Sequence, residues 1–152
     1  MAEQNPDRMR VRAFLAGAGT PLAFDSSPLL AALGTSIVAA TTGRITLQFE
    51  PSSLFLQGAS VVQGGAVSAM LDYAMAAAIM TALDDSIHFA TAGLTVSFLA
   101  MVKPGVLIAE GEVDRLGRRN GFARAHLRAK ANDAILATAS SVLTLIPPRS
   151  SE

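Results

Sequence analysis

The sequence predicts an α+β domain in which an antiparallel sheet wraps around one long central helix. Residues 66–83 have a helix-forming composition and are apolar on all sides, and such a helix has to be covered by other structure. The segments that follow alternate polar with apolar residues, as half-buried strands do. With 152 residues, of which 51% are hydrophobic, the chain fits a single domain over 1–152. We expect residues 1–25 to form an N-terminal extension and residues 147–152 a flexible tail.

Charge and cysteine content narrow the classes of function. Twelve basic and twelve acidic residues give no net charge, which argues against a nucleic-acid partner and against a membrane-surface protein. The chain has no cysteine, which excludes a disulfide scaffold, a cysteine nucleophile and thiolate metal ligands. Only 16% of the residues are charged, so apolar surface should remain for contacts between subunits. The first residues are polar and acidic, and we expect a cytoplasmic protein.

The segments before the long helix are predicted as two short helices, two strands and a loop. Ser27 and Pro28 are typical of a helix start, with a serine cap and a proline in the first turn. The second strand alternates apolar with polar residues, which indicates one wet face. The expected bounds are a helix around 8–16, a short helix from Pro28, strands over 35–42 and 44–50, and a loop over 51–62.

Four further strands are predicted after the long helix, over 89–102, 106–116, 121–131 and 134–146. Two of them carry opposite charges, which would face each other if the hairpin folds about Arg119. The expected pairs are Asp114 with Arg124, Glu112 with His126, and Glu110 with Arg128. Such pairs stabilise a sheet by about 0.2–1 kcal/mol each. The pattern predicts a solvated face and an opposite face, small and apolar, that lies on the helix.

Asp72 stands out within the apolar helix. It is the only charged residue between Glu50 and Asp84. Burying a lone carboxylate costs several kcal/mol unless it is paired or hydrogen-bonded. One interpretation places it on an exposed stripe of the helix or against an arginine across an interface. The other makes it a general base or nucleophile at the edge of an apolar cleft.

Gly64 and Gly65 precede the apolar helix. At a helix start, glycines let a ligand approach free backbone N–H groups, where the helix dipole favours a negative oxygen. This describes an oxyanion hole, although the glycines alone also fit a tight turn. Asp72 lies two helical turns after Gly65, about 10 Å along the axis. That distance is long for one small substrate, so the pattern suggests a site that pairs Gly65 with Asp72 of a second subunit.

Several common catalytic motifs are missing from the sequence. It has no G-x-S-x-G elbow, no phosphate-binding P-loop, no G-x-G-x-x-G and no H-E-x-x-H. His88 and His126 are isolated and give no metal-ligand spacing. We therefore expect a solvated or structural role for both histidines, and no metal.

The run from Gln57 to Asp72 resembles the core motif of hotdog-fold acyl-CoA thioesterases, in particular the phenylacetate-degradation type. In that family an Asn or Gln is followed six positions later by His-Gly-Gly, and an Asp or Glu comes nine positions after the His. Gln57, Gln63 and Asp72 stand at these spacings. The later segments 94–99 and 103–105 are similar to the strand and turn that follow the helix in the family. The resemblance covers roughly residues 35–146.

The resemblance implies a role for each motif residue. Asp72 would activate water or attack the thioester carbonyl, and the Gly65 N–H would hold the developing oxyanion. Gln57, from the facing subunit, would orient the water or the carbonyl. Gln63 departs from the family pattern because it stands where the family usually has His. An amide keeps a hydrogen bond but does not titrate, so this substitution bears on activity.

The remaining site residues are also implied by the resemblance. A Ser or Thr often assists the carboxylate; one branch has it a helical turn later, where this chain has Ala76, and the other takes it from the next strand, where Thr91 and Thr95 both qualify. Substrate contacts are expected from Gly64, Tyr73 and Thr95. Arg118 and Arg119 are expected to contact the phosphates of coenzyme A, because exposed arginines suit phosphate oxygens. The acyl pocket is expected to be lined from the helix by Met70, Tyr73 and Met75.

The leading hypothesis is therefore an acyl-CoA thioesterase, a homodimer or a homotetramer built as a dimer of dimers. It would use no cofactor, because coenzyme A belongs to the substrate, and it would act on a medium-chain or aromatic acyl group. The main alternative is a non-catalytic acyl-CoA-binding protein that lost turnover when His became Gln63. A hotdog dehydratase fits less well, since no His lies near Gly64 or Asp72. A purely structural module would not explain why the apolar helix contains the carboxylate of Asp72.

Overall fold

A computed structural model describes residues 5–148, which form one antiparallel sheet of seven strands around a long helix. The strand order is β1-β2-β3-β5-β6-β7-β4. The predicted fold class is confirmed. The helices are α1 (Pro6–Leu15), α2 (Pro28–Ala32) and α3 (Gly64–Ala82), with a 3-10 turn at Ser53–Phe55, and the strands are β1 (Leu22–Ala23), β2 (Ser36–Thr41), β3 (Arg44–Phe49), β4 (His88–Phe98), β5 (Leu107–Leu116), β6 (Asn120–Ala129) and β7 (Ile135–Ile146).

Helix α3 is the centre of the hydrophobic core. Eleven of its 19 residues are buried, and many of them are alanines that let the sheet approach closely. At the closest point, a Cβ added to Gly111 of β5 would lie 2.2 Å from the Ala74 carbonyl oxygen, so this crossing admits no side chain at position 111. By length and composition α3 is one helix that could cross a membrane, but 61% of its apolar window is buried inside this fold.

The outer face of the sheet carries the charged rows of β5 and β6. The predicted register of this hairpin is wrong by two residues: Glu112 lies opposite Arg124, and Glu110 lies opposite His126. The turn closes with Leu116 opposite Gly121, one residue off the predicted centre, and a β-bulge between Val113 and Arg115 adds a second step. Arg128 accordingly pairs with Ile108 rather than with Glu110. A register shift of one residue would move the side chains to the other face of the sheet, whereas a shift of two residues returns them. The charged residues therefore stay on the predicted face.

Glu112 is the hub of these surface charges. Its carboxylate accepts hydrogen bonds from Arg44 at 2.9 Å and from Arg124 at 3.0 Å. These two bonds lower the pKa of Glu112 below its ordinary value. The pairs are solvent-exposed, so they contribute little to stability individually.

The N-terminal segment packs onto the core. Val11 of α1 and Phe24 after β1 are fully buried. The helix predicted around 8–16 starts two residues earlier, where Asn5 caps α1 and accepts from the Asp7 and Arg8 N–H groups. Residues 1–4 of the predicted extension, and residues 149–152 of the predicted tail, lie outside the described residues. The division of the chain into extension, domain and tail stays a prediction.

Two arginines of α1 fasten the loop between α3 and β4. Arg8 is only 7% exposed, and its guanidinium donates to the carbonyl oxygens of Asp84 and Ile87, both at 2.7 Å. Arg12 donates to the Leu83 carbonyl at 2.7 Å and to the Asp85 carboxylate. The hydrogen bond from Arg12 lowers the pKa of Asp85. Together they supply donors to backbone carbonyls of the loop that follows α3.

Strand β4 leaves the sheet earlier than the sequence predicts. It ends at Phe98 rather than near residue 102. The Leu99 and Ala100 N–H groups both donate to the Leu136 carbonyl, which marks the bend, and the Val62 N–H donates to the Val102 carbonyl. This bend brings residues 98–102 next to the N-terminus of α3.

Replacing Arg8 by Ala should lower the free energy of unfolding by about 2–3 kcal/mol, since a buried charged donor to two carbonyls is lost. Urea denaturation of the variant and the parent measures the difference. Arg10→Ala is the matched control, because Arg10 forms an exposed pair with Asp25 that is worth at most about 1 kcal/mol. Equal losses of unfolding free energy for the two variants would contradict a stabilising role for the Arg8 hydrogen bonds to this loop.

Candidate active site

Helix α3 leaves one stripe partly open to solvent. Gly65, Ser68, Asp72, Tyr73 and Ala76 follow each other at helical spacing on this stripe, and none of them is buried. The Asp72 carboxylate is therefore not buried in the hydrophobic core. Of the two interpretations of the sequence, the exposed stripe describes its position, and that position also leaves it accessible to a ligand.

Asp72 is held by the edge strand β4. The Thr91 hydroxyl donates to the Asp72 carboxylate at 3.0 Å. Thr91 lies opposite Leu143, on the sheet face that covers α3. Thr95 lies opposite Ser140, which in turn pairs with Arg124 on the outer face. Of the two threonines that the sequence left open, Thr91 is the one beside Asp72 in this protomer, and the expectation that Thr95 could take that place is corrected.

A β-bulge is the reason for this difference. Two residues four apart in a regular strand share a face, so Thr91 and Thr95 are equivalent by sequence pattern. The register of β4 shifts between Thr91 and Gly93. The extra residue reverses the alternation, and Thr95 turns to the outer face.

The N-terminus of α3 is open at its first two amides. Gln63 is the N-cap, and its side-chain oxygen accepts from the Ala66 N–H at 3.1 Å. Within residues 5–148, the N–H groups of Gly64 and Gly65 have no hydrogen-bond acceptor. The Phe98 ring lies against Gly64, 3.4 Å from the position that a Cβ would take. Free amides at a helix start form a site that suits a negatively charged oxygen.

A mostly apolar groove of about 380 Å³ opens beside these amides. Gln57 and Gly64 of the same protomer both line it, whereas the contribution of Gln57 from a facing subunit stays a prediction. Three of its apolar residues are strongly exposed: Phe98 at 54%, Leu99 at 60% and Met101 at 72%. The lining residues are Gln57, Val61, Val62, Gly64, Val67, Phe98, Leu99, Ala100, Met101 and Val102.

Other predicted site residues lie apart from this groove. Arg118 and Arg119 are exposed in the β5–β6 turn, next to Gly121, which faces Ile79 near the other end of α3. Tyr73 is half-buried beside Asp72. Met70 and Met75 are fully buried core residues, so the expectation that they line an acyl pocket is wrong for this protomer; they fill the space between α3 and the sheet.

The sequence reasoning missed Phe98 as part of this site. The sequence placed position 98 only within the predicted strand over 89–102. A large aromatic residue at the end of a strand, followed by Leu99 and Met101 ahead of Lys103-Pro104, is a signal that apolar side chains continue past the sheet. In the part of the chain that the structure describes, no group of three potential metal ligands occurs.

Comparison with known proteins identifies the family. The family model described as the thioesterase superfamily matches residues 59–135, from the loop before α3 into β7. The chain belongs to the thioesterase superfamily. None of the curated proteins matches the sequence of this thioesterase-superfamily chain.

Solved structures of the thioesterase superfamily agree with this assignment. A thioesterase family protein from Silicibacter pomeroyi is similar with a TM-score of 0.77 at 23% identity, over 91% of this chain and 97% of that one. A phenylacetic acid degradation-related protein from Ralstonia eutropha JMP134 gives a TM-score of 0.75 at 26% identity, over 89% and 98%. A thioesterase from Haemophilus influenzae gives 0.73 at 18%, over 81% and 85%. The hotdog fold that the resemblance implied is confirmed.

Thr91→Val should slow thioester hydrolysis about fivefold to tenfold, because Asp72 loses a hydroxyl donor worth about 1 kcal/mol. Valine keeps the branched shape of threonine, so the strand should be preserved. Steady-state hydrolysis rates of the variant and the parent measure the effect. Thr95→Val, on the outer face, should retain the parental rate; an equal loss in both variants would contradict the Thr91–Asp72 contact as a functional one.

Proposed function

We propose that this thioesterase-superfamily protein hydrolyses a medium-chain or aromatic acyl-CoA to the free acid and coenzyme A. The observation that carries the proposal is the pair of N–H groups of Gly64 and Gly65, which have no acceptor among residues 5–148 and lie beside an apolar groove. Such amides suit the oxyanion of acyl transfer. The groove suits the acyl chain, and no charged side chain lines it.

The catalytic carboxylate in this proposal is Asp72. A water oxygen attacks the thioester carbon while Asp72 takes a proton from that water. The carbonyl electron pair moves onto oxygen, which accepts a hydrogen bond from the Gly65 N–H. When the C=O bond re-forms, the C–S bond breaks and the thiolate takes the proton from Asp72. In the other form of the proposal the Asp72 carboxylate attacks the carbonyl, the C–S bond breaks to release the thiolate, and water then hydrolyses the resulting anhydride to the free acid and Asp72, the two protons of this water going to the thiolate and to the carboxylates. Gln57 orients the water or the carbonyl in both forms.

We propose further that the site is completed by a second copy of the chain. Gly65 and Asp72 are on one rigid helix, seven residues and about 10 Å apart, which is too far for one thioester. A two-fold axis that crosses α3 midway, near Ser68 and Ala69, would bring the partner's helix stripe alongside and pair Gly65 with the carboxylate of the other protomer. The side chains at this midpoint are small, so two helices can approach closely there.

The edge of the sheet supports this dimer. β4 is an edge strand, and a strand with unpaired N–H and C=O groups is a template for pairing with another chain. Leu94 and Phe98 point from β4 toward the helix side of the sheet and are 40% and 54% exposed. Exposed apolar side chains along an unpaired edge favour burial against a partner. A homotetramer would then be a dimer of such dimers.

Coenzyme A would lie along the surface of the dimer. Arg118 and Arg119 remain candidates for its phosphates, because both are exposed and guanidinium groups suit phosphate oxygens. Tyr73 is proposed to contact the acyl group from its place beside Asp72, and Gly64 to let the thioester approach the helix start. Thr95 lies on the outer face and has no role in this proposal. The reaction needs no metal, nucleic acid or membrane, and we place it in the cytoplasm.

Asp72→Asn should abolish turnover while the fold and the oligomer persist, because the amide neither takes a proton nor attacks. The measurement is thiol release from a panel of short, medium and aromatic acyl-CoA thioesters, run on variant and parent. The melting temperature checks the fold. Turnover in the variant near the parental level would overturn the mechanism. No turnover by the parent, with acyl-CoA still raising its melting temperature, would replace hydrolysis by binding alone.

Mixing two inactive variants should restore activity if each site draws on two protomers. Asp72→Asn removes the carboxylate. Gly65→Pro removes the N–H that holds the oxyanion, and proline is tolerated in the first turn of a helix. When the two chains are refolded together in equal amounts, half the dimers are mixed and each has one intact site of two, so about a quarter of the parental activity should return. A mixture as inactive as its components would place the whole site in one protomer.

A further inference from the structure

The side chain of Gln63 folds back over the helix that it caps. Its oxygen accepts from the Ala66 N–H at 3.1 Å, the third amide of α3. Short side chains such as Ser, Thr, Asp and Asn are the common caps, whereas Gln reaches the same amide only by curling across the first turn. The side-chain amide therefore lies at the open end of the helix, in an exposed position.

The capping bond fixes the orientation of this amide. The Ala66 N–H is shared between the Gln63 backbone carbonyl, at 3.0 Å, and the Gln63 side-chain oxygen, at 3.1 Å. Because only the oxygen of the side-chain amide can accept, the nitrogen, Nε2, with its two hydrogens, faces away. Across residues 5–148, Nε2 donates to no acceptor. The capping contact thus holds a free donor in a defined place.

That donor lies next to Gly65. A Cβ at position 65 would be 2.8 Å from the Gln63 oxygen and 3.3 Å from Nε2. Gly65 is helical, and its φ is not among the positive ones, so its backbone conformation does not require glycine. A Cβ at position 65 would instead displace the flexible Gln63 amide from its place at the helix start.

We infer that Gln63 is a second oxyanion donor, acting with the Gly65 N–H. The inference rests on the proposed thioester hydrolysis and assigns a role to a side chain within it. Nε2 and the Gly65 N–H are adjacent at the open helix start, and neither has another partner. As the thioester carbonyl becomes a tetrahedral oxyanion, its oxygen accepts from both groups and no proton is transferred to or from Gln63. Because an amide does not ionise, this donor is present at every pH.

The decisive variant is Gln63→Glu, which separates capping from donation. A carboxylate accepts from the Ala66 N–H as well as an amide does, and its negative charge is favourable at a helix N-terminus. It has no N–H to offer. We expect the melting temperature to stay at or above the parental value while kcat for acyl-CoA hydrolysis falls at least about 100-fold, the usual cost of one lost oxyanion donor. KM should change little, since the donor acts mainly in the transition state.

Two further variants make the result specific. Gln48→Glu carries the same change of charge on the outer face of β3, where Gln48 accepts from Lys130, and should keep the parental kcat. Gln63→Ala should lose both kcat and melting temperature, because cap and donor disappear together.

The outcomes of this experiment are distinct. Parental kcat in Gln63→Glu, with the parent active, overturns the oxyanion role and leaves the proposed hydrolysis intact. A loss of kcat accompanied by an equal loss in Gln48→Glu overturns it as well, since charge alone would explain the effect. A parent that hydrolyses none of the acyl-CoA panel overturns the proposed function and this inference with it.

Discussion

The close contact between α3 and β5 is the constraint on which the rest of the structure depends. The Ala74 carbonyl lies so near Gly111 that a Cβ there would be at 2.2 Å, well inside van der Waals contact. A helix that approaches a sheet this closely buries its alanine-rich faces and cannot rotate about its axis without a clash. The stripe opposite the contact is thereby fixed. Gly65 and Asp72 lie on that stripe. A packing contact between two backbones therefore determines that these two residues face away from the sheet.

The second determinant is the edge strand that borders the stripe. β4 is clamped at its start by α1, whose buried Arg8 binds the carbonyls of Asp84 and Ile87. Thr91 faces Asp72, and the bulge that follows it reverses the alternation of the strand, so that Thr95 faces outward. At its other end, the bend after Phe98 brings apolar side chains to the start of α3. The groove and the carboxylate are therefore both arranged by one strand, although they lie two helical turns apart.

The sequence predicted features that depend on local pattern, and it failed where one extra residue changes the pattern. The long apolar helix, the alternating strands and the serine-capped helix α2 all follow from periodicity and capping, and the structure has them. The hairpin register was wrong, because neither the bulge at Asp114 nor the turn centre leaves a mark in the charge pattern. The sequence also could not tell which of Thr91 and Thr95 lies beside Asp72, because the bulge between them leaves no mark in the residue pattern. Met70 and Met75 were misplaced because hydropathy alone does not distinguish a core side chain from a pocket side chain.

The departure at Gln63 has a physical meaning that the sequence alone did not give. In the motif that the chain resembles, this position is usually His, a residue that can change its charge near neutral pH. Here the structure shows the position acting first as a helix cap, a task for any acceptor that can reach the Ala66 N–H. An amide performs that task and retains a donor whose direction the cap determines. A side chain at position 65 would displace this amide. Two residues that the motif lists separately are thus coupled by one contact, so substituting either residue should alter the local environment of the other.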